Sequence, residues 1–250
     1  MIRSYEIARK RKKRIKANKL FTVIKIILCT LILYSFITHF LIKSYKVNSI
    51  SMQPNLNPED RILSSPLFYG PFIPLQTLRF SGFKKPERGD IVMIIPPYNK
   101  RKNNFQSIFE PITRFFTLQR ASIITDTKGK VINKYCVKRI IGIPGDTIKM
   151  NNFIAYIKTN RSDNFIEEKE IIKKEYALKV NQSQYPMEWK ATFPFSGNVD
   201  EITLKENEYF VLGDNRSESN DSVSWGPLNY SHIAGKIVFR FWPLNKFETF

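Results

Sequence analysis

The hydrophobic positions fall into one long run near the N-terminus and several short runs further along the chain. Residues 26–42 contain no Asp, Glu, Lys or Arg, and the apolar stretch reaches about 23 residues when the Lys25 side chain extends toward lipid headgroups. This length is enough to cross a bilayer, so we predict a transmembrane helix over residues 20–43. A cleaved signal peptide is the alternative, but no small-x-small motif follows before Lys43, which favours a retained anchor.

Beyond the anchor, short runs typical of β-strands replace the long apolar one. Five such runs cover residues 45–51, 90–95, 134–141, 209–212 and 236–241. Glycine-containing turn motifs at residues 88–90, 144–146 and 213–215 lie between or beside them. The pattern predicts a mainly β, antiparallel and barrel-like domain over residues 44–250.

Two stretches fit this β pattern poorly. Residues 99–133 are polar and basic, with a helix-compatible part near 108–116, and residues 147–207 are rich in Lys, Glu and Asn. We interpret both as insertions between core strands, which gives the β-domain an inserted smaller subdomain.

Charge is concentrated at the N-terminus. The formal net charge is +18, which suits nucleic acid, an anionic membrane surface or acidic partners alike. Residues 1–19 carry nine Lys and Arg against the single acid Glu6, and Tyr5 is their only aromatic residue. Because this arm runs directly into the apolar segment, we interpret it as a cytosolic topogenic arm rather than a nucleic-acid binding arm. The chain is then a single-pass membrane protein, and its β-domain lies on the extracytoplasmic side.

Cysteine and histidine usage limits the chemistry. Cys29 lies in the span and Cys136 in a strand-like run, so we expect both to be free. His39 lies in the span, which leaves His232 alone in the β-domain and excludes a multi-histidine metal site. No Cys-x-x-Cys, Gly-rich phosphate loop or His-Glu-x-x-His motif occurs, and we predict neither a metal nor a cofactor.

Ser51 is the first candidate for chemistry. The two-residue period of a strand places Tyr45, Val47, Ser49 and Ser51 on one face, and the Gln-Pro that follows Met52 leaves Ser51 near the strand tip. An ordinary turn serine is the alternative reading of this segment.

Lys138 is the second candidate, because strand alternation places it on the same face as Cys136 and Ile140. Burial there disfavours the charged ammonium, so a neutral amine could act as a general base. A lysine on an edge strand that extends to water is the alternative. A serine nucleophile needs a base, and Lys138 is the one these runs supply.

Four ordered blocks, residues 49–56, 88–92, 135–146 and 213–226, resemble those of the type I signal peptidases. The resemblance implies a membrane-bound serine endopeptidase that removes signal peptides from exported preproteins. It implies that Ser51 attacks the scissile carbonyl, that Lys138 takes and returns the proton, and that the Ser49 hydroxyl helps a backbone N–H to bind the oxyanion.

The resemblance also implies supporting residues and substrate pockets. Ser219 would orient the Lys138 amine, and Asp214 would pair with Arg139. The positions that would line shallow pockets for small substrate residues, one and three positions before the cut, are Tyr45, Val47 and Val137. An extended substrate could add as a strand along residues 47–51. Preproteins and membrane lipid are the expected partners of a monomeric enzyme.

Several positions depart from the family pattern. Val223 stands where the family usually has an arginine paired with the aspartate that matches Asp221, and Ser217 and Glu218 replace a common Asp-Asn pair. Asp221 then needs another partner, and a catalytically impaired homologue that binds exported chains without cutting them is the alternative function.

Two other enzyme classes also use a Ser–Lys pair. The S-x-x-K motif of penicillin-binding enzymes is spelled by residues 81–84, but Gly82 and the segment after it predict a loop instead of the required helix start. A self-cleaving repressor-type protease is disfavoured by the membrane span. The apolar segment 67–75 is interpreted either as dipping into the outer leaflet or as packing on the β-domain.

Overall fold

The computed structural model describes residues 2–71, 79–99, 135–180 and 197–250, together with Thr113 and Phe116. The chain divides into two compact units, residues 1–39 with 104–131 and residues 40–103 with 132–250. Nearly all of the predicted insertion at 99–133, including its helix-compatible part, lies outside the described residues.

The first unit contains one long helix, α1 (Ile2–Phe36), which continues into a π-helical turn at Ile37–Leu41. Its segment Arg14–Phe36 is 23 residues long with a mean hydropathy of 1.9, and it is the one described helix long and apolar enough to cross a membrane. Within it, the hydroxyls of Thr22 and Thr30 donate to carbonyls four residues earlier, at 2.9 and 2.8 Å. These bonds satisfy polar groups that hydrocarbon could not satisfy.

The second unit is built from short strands and helical turns. The described strands are β1 (Lys43–Lys46), β2 (Arg61–Ser65), β3 (Ile91–Ile94), β4 (Cys136–Gly142), β5 (Thr147–Asn151), β6 (Ile154–Lys158), β7 (Ile166–Glu167), β8 (Val199–Thr203), β9 (Glu208–Leu212), β10 (Leu228–Asn229), β11 (Ile233–Trp242) and β12 (Glu248–Thr249). The short α-helices are α2 (Glu168–Ile171) and α3 (Ser222–Trp225). Short 3-10 turns occupy Pro66–Tyr69, Arg216–Glu218, Tyr230–His232 and Leu244–Lys246.

The larger sheet has eight strands in the order β1-β2-β11-β3-β4-β9-β10, with β12 added to β11. Its strand pairs are antiparallel, and it curls into a half-barrel. This confirms the predicted mainly β, barrel-like fold. Strand β4 is buried on both faces, because Val137 packs into one apolar cluster and Ile140 into another.

The smaller sheet lies between β4 and β9 in sequence, within residues 147–207, and has the order β7-β6-β5-β8. Its inward side chains, among them Ile148 and Ile157, pack in one apolar cluster with Ile141 of β4 and Phe210 of β9. The smaller sheet therefore shares a core with the larger one. Residues 181–196 lie outside the described residues.

The predicted strand over residues 45–51 is wrong beyond Lys46. Strand β1 ends there, and residues 51–55 form a turn. The backbone explains this difference: Val47 exchanges hydrogen bonds with the 59–60 segment, and Leu56 N then donates to Met52 O at 2.8 Å. Because this loop closes on itself, the partner strand β2 begins only at Arg61.

The described part of the apolar segment 67–75 packs on the β-domain. Tyr69 is 1% exposed, its hydroxyl donates to Asp90 Oδ2 at 2.6 Å, and its ring joins the cluster that contains Val92 and Ile140. Residues 72–75 lie outside the described residues.

Candidate active site

Ser51 lies in a turn that is attached to a loop distant in sequence. Its carbonyl accepts a hydrogen bond from Asn215 N at 3.0 Å, and the Asn215 side chain donates to Ile50 O at 3.3 Å. Ser51 N donates to Ser49 Oγ at 3.2 Å. Although it is not on a strand, Ser51 is 6% exposed and therefore held in one place.

Lys138 lies on β4 and is 2% exposed. Its Nζ donates to Ser219 Oγ at 2.8 Å, which is the contact that the family resemblance implies. None of the described carboxylates forms an ion pair with Lys138, an unusual situation for a buried lysine.

Gly213 brings these two groups together. A Cβ placed on Gly213 would lie 2.3 Å from Ser219 Oγ and 2.5 Å from Ser51 O. The Ser51 carbonyl and the Ser219 hydroxyl that binds Lys138 therefore both lie where a side chain at position 213 would be. Only glycine, which has no Cβ, fits there. The sequence marked Gly213 only as a turn residue.

The neighbouring Arg139 forms a bidentate ion pair with Asp214, as the resemblance implies. Nε and Nη2 donate to the two carboxylate oxygens, each at 2.8 Å, and the side chains are 3% and 0% exposed. Asp214 also accepts from Asn55 Nδ2 at 2.8 Å. Asn55 is the last residue of the 51–55 turn that contains Ser51. This pair therefore links β4, the loop at residues 213–216 (the glycine loop) and the Ser51 turn.

Asp221 has partners that do not depend on an arginine. Its Oδ2 accepts from Gly213 N at 2.9 Å and its Oδ1 from Val223 N at 3.2 Å, so it also caps the N-terminus of α3. Both carboxylate oxygens are satisfied by backbone donors, and Val223 supplies one of them through its main chain.

A second buried ion pair, which sequence reasoning missed, attaches the glycine loop to the smaller sheet. Arg216 donates to Gly213 O at 2.9 Å and to both carboxylate oxygens of Glu168, at 2.8 and 2.6 Å. The two side chains are 1% and 0% exposed. Burial alone would lower the pKa of Arg216, but the charge of Glu168 and its hydrogen bonds raise it.

A cavity of about 250 Å³ opens beside Ser51. The predicted pocket residues all line it, namely Tyr45, Val47 and Val137. Val47 and Val137 are 3% and 5% exposed, so the walls are tightly packed. The Tyr45 hydroxyl donates to Tyr135 O at 2.9 Å, and burial, aided by Cys136, raises the pKa of Tyr45 to about 12.

Cys136 also lines this cavity, and its thiol should react slowly at ordinary pH. Burial raises its pKa to about 11, with Asp221 acting in the same direction and Lys138 against it. Only the thiolate is alkylated, so in a Cys29→Ser variant the iodoacetamide rate should rise about tenfold per pH unit from pH 8 to 10. The control is the same variant unfolded in urea, which should react fast at pH 8. A folded-state rate that levels off below pH 9 would contradict the raised pKa.

Within the described parts of the chain, no three His, Cys, Asp or Glu side chains come together as a metal-binding cluster. The Ser51 carbonyl and the Ser219 hydroxyl that binds Lys138 approach the same glycine, Gly213. A serine near a buried lysine suits the class of the serine peptidases.

Comparison with known proteins leads to the same class. Residues 20–242 match the family described as signal peptidase, peptidase S26, and the chain belongs to that family. It is 28% identical over 233 residues to signal peptidase I of Bacillus licheniformis, covering 92% of this chain and 93% of that one. It is 31% identical over 136 residues to signal peptidase IB of Staphylococcus aureus, covering 52% and 64%. The crystal structure of a signal peptidase I from Enterococcus faecalis is 22% identical, with a TM-score of 0.34, and covers 61% of this chain and 97% of that one.

Proposed function

We propose that this chain is a membrane-bound serine endopeptidase that removes N-terminal signal peptides from exported preproteins. Ser51 is the nucleophile and Lys138 the general base. The observation that carries the proposal is the meeting of the Ser51 turn and the Lys138–Ser219 hydrogen bond at Gly213. Membership of the signal peptidase family supports the same reaction.

The first half of the reaction acylates the serine. Ser51 Oγ attacks the carbonyl carbon of the scissile peptide while the Lys138 amine takes the hydroxyl proton. The Ser219 hydroxyl, 2.8 Å from that nitrogen, limits the directions in which the amine can point. Lys138 then gives the proton to the leaving amine as the C–N bond breaks, and an acyl-enzyme remains.

The oxyanion of the tetrahedral intermediate needs donors at the serine. Ser51 N–H and the Ser49 hydroxyl lie together, since the first donates to the second at 3.2 Å. When the substrate oxygen arrives between them, both can donate to it, because Ser49 is exposed and its hydroxyl can rotate. In the second half, Lys138 activates a water that hydrolyses the ester and restores Ser51.

The cavity beside Ser51 supports selection of small residues next to the cut. Its walls include Val47 and Val137, which belong to the packed core of the β-domain and cannot move aside for a bulky side chain. Tyr45 closes another side. Substrates with small residues one and three positions before the cut fit such walls.

The membrane part of the proposal rests on α1. Its apolar segment Arg14–Phe36 is long enough to span a bilayer, and the basic residues that precede it favour a cytosolic N-terminus. The β-domain then acts on the extracytoplasmic side, with membrane lipid as its surroundings, as a monomer and without nucleic acid. The alternative, a homologue that binds exported chains without cutting them, was based partly on the missing arginine at position 223. That argument is weakened, because Asp221 accepts hydrogen bonds from two backbone N–H groups instead.

The direct test is incubation of the detergent-solubilised full chain with a preprotein that carries an Ala-x-Ala site, followed by sequencing of any new N-terminus. Cleavage after the second Ala is expected. A matched preprotein with Phe in place of that Ala should remain intact. If several Ala-x-Ala preproteins stay uncut in several lipid environments, the chain is the binding-only homologue.

Gly213→Ala tests the meeting point itself. A methyl group there would overlap Ser219 Oγ and Ser51 O, so it must push the serine turn away from the lysine. We expect kcat to fall by at least about 100-fold, because a displacement of about 1 Å costs that much. Gly226→Ala is the control for glycine loss without a clash. A Cβ there meets nothing within 4 Å, but the positive φ of 79° strains an alanine, so this variant should lose stability and keep most of its kcat. Full activity of Gly213→Ala would contradict this geometry.

A further inference from the structure

A second cavity of about 380 Å³ lies apart from the Ser51 cavity and shares no lining residue with it. Its lining includes Gly89 and Ile91 at the start of β3, Arg139 of β4, Ile171 at the end of α2, and Lys173 and Lys174 after it. Arg139 is 2% exposed and Ile91 is also 2% exposed, so part of the lining is rigid protein interior. A volume of this size is typical of small-molecule sites.

The lining is predominantly cationic. Five cations line it, and three of them are paired: Arg88 with Asp146, Arg139 with Asp214 and Lys236 with Asp90. Lys173 and Lys174 remain against the exposed Glu87, and these two ammonium groups favour an anionic ligand.

The nearby carboxylates are largely occupied by specific partners. Asp90 accepts from Lys236 Nζ at 2.5 Å and from the Tyr69 hydroxyl at 2.6 Å. Arg139 is paired with Asp214. Among the described residues, Lys173 and Lys174 have no carboxylate in ion-pair contact, and they stand at the exposed edge of the cavity.

Lys174 lies close enough to Arg139 and Lys236 to be affected by their charges. Burial lowers the pKa of its ammonium, and Arg139 and Lys236 act in the same direction, while Glu248 and Asp90 oppose them. Its Nζ donates to Thr249 O at 3.0 Å, which leaves further N–H donors for a ligand. An anion placed among these cations would relieve their mutual repulsion.

An apolar side accompanies the charged one. Phe250, Ile91 and Ile171 also line the cavity, and Lys174 Nζ lies 5.2 Å from the centre of the Phe250 ring. A ligand with both an anionic group and an apolar body would contact both sides.

We propose that this cavity binds a small organic phosphate. The phosphate lies among Lys174, Lys236 and Arg139, whose N–H groups suit its oxygens, and its organic part lies against Phe250. Such a group can belong to a soluble phosphate ester or to the glycerol phosphate of a lipid headgroup.

Isothermal titration of the full chain in a non-ionic detergent tests this site without reference to peptidase activity. The probes are phenyl phosphate and glycerol 1-phosphate, each at low and high salt. Saturable binding that weakens with salt is expected. Tighter binding of phenyl phosphate identifies a soluble apolar ester as the ligand class, and equal or tighter binding of glycerol phosphate identifies the headgroup.

Two charge reversals locate the binding. Lys174→Glu should weaken the affinity at least about tenfold by removing one attraction and adding one repulsion. Lys205→Glu, on an exposed turn before β9, should leave it unchanged, and circular dichroism verifies that both variants are folded. Lys174→Gln should give an intermediate loss. Equal affinity in the Lys174 and Lys205 variants, or no saturable binding of either probe, overturns the proposal.

Discussion

Replacing Ser51 by alanine is expected to abolish preprotein cleavage, with a loss of kcat on the order of 10⁴-fold or more, and Lys138→Met should do the same. Each change removes one half of a pair that acts as a unit, so the double variant should be no worse than either single one. The measurement is single-turnover cleavage of an Ala-x-Ala preprotein by the detergent-solubilised chain.

Matched controls separate chemistry from general damage. Ser44→Ala and Lys46→Met change the same residue types at exposed positions on β1, and both should cleave at the unaltered rate. Substrate binding should survive in Ser51→Ala, because the pocket residues Tyr45, Val47 and Val137 are unchanged. Measurable turnover by Ser51→Ala with a correct N-terminus would remove Ser51 as the nucleophile.

Glu168→Gln is expected to lower the free energy of unfolding by about 3–5 kcal/mol, because it leaves the Arg216 guanidinium buried without its counter-charge. Urea denaturation in detergent, followed by tryptophan fluorescence, measures the loss. Activity should fall as well, since Arg216 also holds Gly213 O.

The Lys149–Glu201 pair provides the comparison. Its atoms are 3.7 Å apart and its side chains are 33% and 59% exposed, so Glu201→Gln should cost less than about 1 kcal/mol. Similar losses for Glu168→Gln and Glu201→Gln would mean that burial does not strengthen the first pair.

The sequence predicted the larger sheet well where strands are apolar on both faces. Strand β4 lies within one such run, and Lys138 was singled out there because strand alternation places it on the same face as Cys136 and Ile140. Ser51 was identified by residue type, yet its conformation was not. The residues 45–51 alternate as in a strand, but pairing with the 59–60 segment ends at Val47. The turn that follows is closed by Gln53 N donating to Ile50 O and Leu56 N donating to Met52 O.

The smaller sheet escaped detection for a local reason. Strands β5 and β6 do alternate, with Ile148 and Met150 buried and Lys149 half-buried between them. The two-residue turn that joins them is Asn152-Phe153, both at positive φ, 49° and 69°. Two-residue hairpin turns are usually recognised in a sequence by Asn-Gly or Asp-Gly. The Asn-Phe sequence lacks this pattern, so the hairpin was not predicted.

The contact between Glu168 and Arg216 could not be found from the sequence, because no family block contains both residues. Glu168 and Arg216 are separated by the smaller sheet's last strand and by residues outside the described part, and neither has a spacing that points to the other. Glu168 belongs to a Lys- and Glu-rich segment that is typical of an exposed surface, and only the structure shows that it is 0% exposed.

The Arg216–Glu168 pair also bears on how relatives of this protein can be recombined. The stretch between β4 and β9 resembles a detachable cassette, because its ends meet at neighbouring strands of the larger sheet. Yet this stretch contains Glu168, whose carboxylate pairs with Arg216 outside it. A chimaera that exchanges this stretch alone would leave the Arg216 guanidinium buried without a carboxylate. A graft between homologues therefore has to transfer residues 168 and 216 together.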